Sequence, residues 1–251
     1  MPEPDSHNRP LAGRKALVTG ASRRLGRAMT LALAQAGADV IVHHRSDASG
    51  AETTAADVRE SGVRAEVMQA DLGEASACTA LVDASREALG GLDLLVNNAA
   101  IFERTPLEVL KPEDFDLHMR VNAASVHALS LHAGRHMLAS GGGDIVNIAC
   151  VAAWRPYKAY VPYSASKAAV MNLTQGFAKL FAPTVRVNAI APGPILPPAG
   201  ADEAQAAAAA ESTLLKRYGH PDDIAAALLF FLRASYVTGF TLAVDGGRSI
   251  V

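Results

Sequence analysis

The chain has 251 residues, of which 50% are hydrophobic and 19% are charged, and its formal net charge is -2. This length and composition fit one folded α/β domain with a large core and exclude disorder over most of the chain. The balance of charge gives no electrostatic reason to expect nucleic acid or an anionic membrane as a partner. The two cysteines, Cys78 and Cys150, are too far apart to form a Cys-x-x-Cys motif, which argues against a structural zinc site and a disulfide framework.

The first ten residues contain three prolines and lack an apolar run. We therefore expect residues 1–10 to form a flexible tail rather than a signal peptide or anchor, with residues 11–251 as one domain. No stretch reaches the roughly 20 uninterrupted apolar residues of a membrane-spanning helix. These features favour a cytoplasmic protein without a membrane partner.

Apolar runs alternate with glycine breaks along the chain in the order strand, turn, helix. The predicted strands are residues 15–19, 40–42, 65–69, 92–96, 144–149, 185–190 and 240–244. The predicted helices are residues 25–36, 51–61, 75–89, 112–139, 160–181 and 221–232. This alternation predicts a parallel seven-stranded sheet with helices on both faces, in a single domain.

An alanine-rich run at residues 204–210 can form a helix, but it has almost no apolar face beyond its methyl groups. We expect it to pack lightly, which suits a movable substrate flap near residues 196–214.

His132 and His136 are four residues apart on a predicted helix, the spacing of a ligand pair, but no acidic or cysteine residue stands near them in the sequence. We therefore expect no metal site.

A glycine-rich turn follows the first strand and opens a helix. It reads Thr19-Gly20-Ala21-Ser22-Arg23-Arg24-Leu25-Gly26. Glycines at such a turn let backbone amides approach a pyrophosphate at the positive end of the helix. This arrangement is typical of a Rossmann fold, and the two arginines add positive charge beside the phosphates.

The second predicted strand ends in His43-His44-Arg45-Ser46. An NAD-binding domain normally places a carboxylate here, on the adenosine ribose. Arg45 and Ser46, with Arg23 from the first turn, can instead hold a 2′-phosphate through charge-assisted hydrogen bonds. NADPH is therefore favoured over NADH. Two alternatives stay open: a solvated basic loop, and a ribose contact from Asp47.

Tyr163 and Lys167 lie four residues apart on a predicted helix and so share one of its faces. An ammonium group close to a phenol favours the tyrosinate, so we expect Lys167 to lower the pKa of Tyr163 towards neutrality. The pair is therefore a candidate general acid.

Several motifs, in the same order and at matching separations, resemble the short-chain dehydrogenase/reductase family. They are TGASRRLG after the first strand, Asp71-Leu72 after the third, NNAA at 97–100, Asn122, YSASK from Tyr163, PGP from Pro192, and DGG from Asp245. The resemblance covers nearly the whole chain. It implies hydride transfer from a nicotinamide cofactor, and a homotetramer.

The resemblance also implies residue roles. Tyr163 would be the proton donor, Lys167 would bind the nicotinamide ribose, and Asn122 would link to a proton-relay water. The implied cofactor-binding residues are Gly20, Ser22, Arg23, Arg24, Leu25, Gly26, His44, Arg45, Ser46, Asp71, Leu72, Asn98, Ala99, Ala100, Tyr163, Lys167, Pro192, Gly193 and Ile195.

Arg24 departs from the family, which usually has a glycine there. The Arg-Leu-Gly ending, together with His44-Arg45-Ser46, resembles the pteridine reductase branch and its dihydromonapterin reductase relatives. Phe102 lies where that branch stacks a pterin ring. This favours a pteridine-like substrate.

Cys150 is the second departure, because carbonyl reductases of the family have serine at this position and pteridine reductases have aspartate. A thiol is a weak hydrogen-bond donor and replaces neither well, so Cys150 either takes part in catalysis or packs as a small apolar residue. Ala100, where pteridine reductases tend to have serine, also departs from that branch. Trp154 and Tyr157 follow Cys150 and either line the substrate cleft or pack in the core.

Three functions are therefore compatible with the sequence. The first is an NADPH-dependent reductase of a small cyclic substrate of the pteridine type. The second is a carbonyl reductase acting on a ketone, a sugar or a 3-oxoacyl compound. The third is a protein that binds NADPH as a regulatory signal and has lost efficient catalysis.

Overall fold

The computed structural model describes residues 9–197 and 202–251. Over these ranges seven strands form one sheet, all of whose neighbouring strands are parallel, in the order β3-β2-β1-β4-β5-β6-β7. The strands are β1 (Lys15–Val18), β2 (Asp39–His44), β3 (Ala65–Gln69), β4 (Leu94–Asn97), β5 (Gly143–Ile148), β6 (Val185–Pro192) and β7 (Thr241–Val244). The predicted single-domain Rossmann fold is confirmed.

Helices cover both faces of the sheet. Within the described residues they are α1 (Arg24–Gln35), α2 (Ala48–Glu60), α3 (Ala75–Leu89), α4 (Pro112–Met119), α5 (Ser125–Ala139), α6 (Val161–Phe181), α7 (Glu203–Glu211) and α8 (Pro221–Arg233). Local chemistry sets several ends. The Asp47 carboxylate accepts the Gly50 amide at the start of α2, and Gly90, in the left-handed conformation at φ 69°, ends α3.

The core has one layer on each side of the sheet, and the pleat decides which strand residues enter each layer. On β1, Ala16 and Val18 belong to one apolar cluster, which is packed under α1 and α8, while Leu17 belongs to the other. On β4, Leu95 lies in the same layer as Leu17. Successive strand residues point to opposite faces of the sheet. Because helices cover both faces, the strands need apolar residues at consecutive positions.

The predicted helical region over residues 112–139 is confirmed. Its centre is a π-helical turn, Arg120–Ala124, which joins α4 to α5. Asn122 lies in this turn and its side-chain amide bonds the backbone of Ile101 and the hydroxyl of Ser166. A π-turn contains one more residue than an α-helical turn, and here it occurs where Asn122 makes these bonds. Such turns are frequent at functional sites.

The predicted tail and flap fall partly outside the described residues, which exclude 1–8 and 198–201. Arg9 donates a hydrogen bond to the Ser61 carbonyl at 2.8 Å and so contacts the end of α2. None of the residues of α7 is buried, which confirms its predicted light packing. No helix in the described ranges combines the length and the apolar character that crossing a bilayer requires.

Candidate active site

The site lies where the strand order reverses, between the adjacent strands β1 and β4. Open α/β sheets bind ligands at the carboxyl ends of such strands. The Thr19 hydroxyl oxygen accepts the backbone amides of Asn98 and Ala99 at 2.9 and 3.0 Å. The Asn98 side chain in turn donates to the carbonyls of Thr19 and Gly20 at 2.8 and 3.0 Å. Thr19, to which the sequence motifs give no role, therefore joins the two strand ends.

The glycine turn fits a pyrophosphate because its backbone is too close-packed for side chains. Gly20 has a left-handed φ of 64°, and a Cβ added to Gly26 would lie 2.0 Å from the Gly20 carbonyl oxygen. The turn therefore brings bare backbone to the first turn of α1, where free amides attract anions.

Arg24 makes contacts that the sequence did not predict. It has a left-handed φ of 54°, which is uncommon for a residue with a side chain. Its guanidinium donates to the carbonyls of Leu196 and Pro197 at 3.3 and 2.9 Å. Arg24 thus links the glycine turn to the segment after β6.

His43 is a second residue whose role the sequence did not reveal. Its Nδ1 accepts the Gly20 amide and its Nε2 donates to the Ala70 carbonyl, both at 3.1 Å. Burial lowers the pKa of His43 to about 4, so the ring is neutral near pH 7 and this pair of bonds defines its tautomer. The glycine turn is thereby held to the end of β3, directly before Asp71.

The loop after β2 presents Arg45 and Ser46 to solvent, while His44 is buried. Asp47, the alternative ribose ligand, instead accepts the Gly50 amide at 3.1 Å as the cap of α2. Its carboxylate is thus engaged in the fold, and the exposed groups at the strand end are a guanidinium and a hydroxyl.

The remaining predicted cofactor positions shape the rim of the crevice. The Asp71 carboxylate accepts the Gly73 amide at 2.9 Å and so forms a turn after β3. The Leu72 side chain is buried in the core. A Cβ on Gly193 would lie 2.7 Å from the Asp245 Cα, so the chain after β6 approaches the DGG segment closely, and Ile195 beyond it is buried.

Tyr163 and Lys167 both lie near the start of α6, four residues apart as predicted, and both are buried. The Lys167 Nζ donates to the Ile148 carbonyl at 2.7 Å and lies 5.8 Å from the centroid of the Tyr163 ring. Burial lowers the pKa of Lys167 to about 8. The ammonium is therefore placed beside the phenol, at the end of β5.

The prediction that Lys167 lowers the pKa of Tyr163 is wrong for the cofactor-free protein. Burial raises the pKa of the Tyr163 phenol well above its usual value, and Cys150 and Tyr157 add to the effect. The physical reason is desolvation, which disfavours the phenolate. Tyr163 is consequently held with its proton in place, as a proton donor requires.

Besides burial, the Cys150 thiol raises the pKa of the Tyr163 phenol. Its Sγ also accepts the Ala152 amide at 3.4 Å, at the start of a short 3₁₀ turn. Tyr157 packs against the same apolar cluster as Cys150, and burial raises its pKa to about 12. Cys150 and Tyr157 thus both belong to the surroundings of the proton donor.

Asn122 connects the site to α6. Its Oδ1 accepts the Ile101 amide at 2.8 Å, and its Nδ2 donates to the Ile101 carbonyl at 3.0 Å and to Ser166 Oγ at 3.1 Å. The Ser166 hydroxyl donates to the carbonyl of Tyr163 at 2.7 Å. The π-turn therefore positions the helix that carries Tyr163 and Lys167.

Phe102 brings an aromatic surface to the proton donor. Its ring meets the Tyr163 ring edge-on at 4.6 Å between centroids and stacks on Tyr160 at 4.4 Å, while 42% of the residue stays exposed. His118, which the sequence did not single out, is buried with its ring 6.5 Å from that of Tyr163. Trp154 is 46% exposed and makes no aromatic contact with other described residues.

This site, with its glycine turn, buried Tyr-Lys pair and supporting asparagine, defines a nicotinamide-dependent oxidoreductase class. Comparison with known proteins agrees. The family model described as enoyl-(acyl carrier protein) reductase matches residues 20–249. The 3beta-hydroxysteroid dehydrogenase 1 of Eggerthella lenta is 38% identical over 248 residues, covering 96% of this chain and 95% of that protein.

Solved structures give the same result. A short chain dehydrogenase from Burkholderia cenocepacia in complex with NADP has 37% identity and a TM-score of 0.89, with 95% of this chain and 99% of that chain covered. The FolM alternative dihydrofolate reductase 1 of Brucella canis, complexed with NADP, has 30% identity and a TM-score of 0.90, over 97% and 96% of the two chains. The chain belongs to the short-chain dehydrogenase/reductase family and is an oxidoreductase.

Proposed function

We propose that the protein is an NADPH-dependent reductase of a small, flat, cyclic substrate of the pteridine type. The observation that carries the proposal is the partly exposed Phe102 ring, which lies directly against the ring of the buried proton donor Tyr163. An aromatic heterocycle stacked on this ring would have its edge close to the Tyr163 hydroxyl. Offset stacking of this kind contributes about 0.5–1.5 kcal/mol beyond burial of area.

The preference for NADPH is supported by the loop after β2. A guanidinium and a hydroxyl, from Arg45 and Ser46, are exposed there, and the only carboxylate beside them in the sequence, Asp47, caps α2. A 2′-phosphate would find charge-assisted donors at this end of the strand, where the Asp47 carboxylate is hydrogen-bonded to the start of α2. Two of the similar solved structures are NADP complexes, which agrees with this assignment.

The bound cofactor would supply the hydride. The chain's own residues hold the proton and position the substrate. Tyr163 keeps its proton because it is buried, and it can release that proton to the substrate atom that gains negative charge. Lys167, when protonated, stabilises the resulting phenolate, and Asn122 fixes the helix on which both residues lie.

Cys150 distinguishes this site from carbonyl reductases and pteridine reductases of the family alike. Its thiol is a weak donor, so a ketone oxygen gains little from it. The aspartate that pteridine reductases of the family have at this position is replaced equally poorly by a thiol. Cys150 therefore favours neither substrate, and the preference for a pteridine-like substrate rests on Phe102.

The test is a panel of NADPH oxidation assays with a pterin, a dihydropterin and simple ketones, using wild type, Phe102→Leu and the aromatic control Phe102→Tyr. Loss of the stacking surface should raise KM for the dihydropterin about threefold to tenfold in Phe102→Leu and much less in Phe102→Tyr. Turnover of ketones should stay low in all three. Absence of wild-type turnover with both pterin and dihydropterin overturns the proposal.

Reduction of a carbonyl on a larger alicyclic substrate is the second candidate. It is favoured by the 38% identity to the Eggerthella lenta 3beta-hydroxysteroid dehydrogenase 1 over nearly the full length. A steroid ketone in the same panel separates the two candidates. Faster turnover of the steroid than of the dihydropterin would replace the first candidate by the second.

We further propose that the protein assembles as a homotetramer through α5, α6 and the β7 region. Large apolar side chains are exposed on each of these elements: Leu138 is 40% exposed, Leu180 62% and Phe240 53%. Exposed apolar groups of this size often mark association surfaces. Light scattering coupled to gel filtration measures the mass directly, and a monomer mass contradicts the proposal. A cytoplasmic location stays a prediction.

A further inference from the structure

Three side chains that can bind a metal converge on the surface between α3 and α5. Asp83 lies on α3, while His132 and His136 lie one turn apart on α5. The Nε2 atoms of His132 and His136 are 2.9 and 3.1 Å from the Asp83 Oδ1, and 3.4 Å from each other. The sequence-based expectation of no metal assumed that this histidine pair lacked an acidic neighbour. That premise was wrong, because folding brings Asp83 across 49 positions of sequence.

The distances fit the first coordination sphere of a metal ion. A tetrahedral zinc ion with ligands about 2.0–2.1 Å away spaces its ligand atoms about 3.3 Å apart. The separation of the two Nε2 atoms agrees with this value, and the two nitrogen–oxygen separations are a few tenths of an ångström shorter. Small side-chain rotations would therefore place all three atoms around one ion.

Without a metal ion, both Nε2 atoms must carry hydrogen to donate to Asp83 Oδ1, and two donors 3.4 Å apart then share one acceptor atom. A cation at the centre is bound by the lone pairs of both rings and by the carboxylate.

Access and support are also suitable. The side chains of His132, His136 and Asp83 are 25%, 28% and 47% exposed, which leaves solvent room for a water molecule as fourth ligand. Both helices are fixed by buried faces, for instance through Leu81 of α3 and Leu129 of α5. A site on rigid helices is preformed, so little ordering is needed on binding.

We propose that Asp83, His132 and His136 bind one divalent ion of the zinc class and thereby brace α3 against α5. Two imidazoles and one carboxylate suit Zn²⁺, Co²⁺ or Ni²⁺, whereas Mg²⁺ and Ca²⁺ prefer oxygen ligands throughout. His132 is ten positions after Asn122, about 15 Å along a helix, so the ion stays clear of the proton donor. Its effect is on stability rather than on the reduction step.

The test uses the full-length chain without a histidine tag, stripped of metal and titrated with Zn²⁺ by calorimetry, with Co²⁺ absorption as a second probe of tetrahedral nitrogen–oxygen ligation. Wild type should bind one ion per chain with a dissociation constant well below ~100 µM. Zinc should raise its thermal midpoint. His132→Gln, His136→Gln and Asp83→Asn should each weaken binding at least about tenfold and lose the thermal shift.

His220→Asn is the matched control. His220 also pairs with an aspartate, Asp222 at 3.2 Å, but in the described structure it belongs to no three-ligand cluster, and asparagine keeps its helix-capping role. This variant should bind zinc as wild type does. Each variant is first checked for wild-type circular dichroism, and Asp83→Asn, the most exposed position, tests the site if a histidine variant misfolds. The proposal is overturned if wild type shows no saturable binding, or if the affinity is unchanged in the cluster variants, which would place the ion elsewhere.

Discussion

Replacing Lys167 by methionine removes a charge that the fold buries almost completely, at 3% exposure. Burial lowers the pKa of Lys167 from 10.5 to about 8, a fall that corresponds to about 3 kcal/mol of differential stability between its two protonation states. Because the folded pKa lies below the unfolded one, the unfolded chain binds the proton more tightly. The wild type is therefore at its full stability above about pH 10.5 and loses it as the pH falls to about 8.

The methionine side chain of Lys167→Met has no titratable group. The difference in free energy of unfolding between wild type and variant should therefore change with pH. Between about pH 7 and about pH 10 the wild type should gain about 2.5 kcal/mol relative to Lys167→Met. The methionine leaves the Ile148 carbonyl without its lysine partner at every pH, so this loss cancels in the comparison. Urea unfolding of the cofactor-free proteins, at one protein concentration and several pH values, measures the difference.

Lys179→Met is the control for this experiment, since Lys179 is an exposed lysine on the same helix. Its difference from wild type should stay nearly constant over the same pH range. A constant difference for Lys167→Met as well would refute the reasoning, because it would show that the buried amine carries no desolvation penalty.

The other predictions concern the cofactor turn, the phosphate loop and the thiol. Gly26→Ala forces a methyl group against the Gly20 carbonyl, 2.0 Å away, and should lower stability by about 1–3 kcal/mol or abolish NADPH binding, as seen by thermal unfolding and fluorescence titration. Unchanged binding and stability would show that the turn is not close-packed. Arg45→Asp puts a carboxylate where the 2′-phosphate would bind and should lower kcat/KM with NADPH at least about 100-fold while affecting NADH far less; equal effects on the two cofactors would contradict the assignment. Cys150→Ser supplies a stronger donor beside Tyr163 and should raise kcat/KM for ketones roughly threefold to tenfold. No increase would mean that the thiol does not limit carbonyl reduction.

The fold could be predicted from the sequence because each strand and helix has its own local pattern of apolar residues and glycines. Each predicted strand overlaps an observed one, and glycines mark the ends of α1, α2 and α3 in both. The Tyr163–Lys167 pair was also accessible, since helical spacing alone puts the two residues on one face. In contrast, the π-helical turn at Asn122 accompanies bonds to Ile101 and Ser166, which lie far from it in the sequence.

The missed features all depend on contacts between distant segments. His43 bonds to Gly20 and Ala70, which only the parallel pairing of β2 with β1 and β3 brings within reach. The same holds for the contact of Asp83 with His132 on a neighbouring helix. The raised pKa of Tyr163 follows from its burial, and the spacing of Tyr163 and Lys167 in the sequence does not show whether the two residues are buried.

The proposed role of Tyr163 is to protonate a substrate that NADPH reduces. Steady-state NADPH oxidation with a dihydropterin by wild type and Tyr163→Phe, with NADPH affinity measured for both, tests this role. Loss of the single hydroxyl should reduce kcat about 10²–10⁴-fold while NADPH binding stays near that of wild type. A Tyr163→Phe variant that turns over dihydropterin at the wild-type rate would contradict the account.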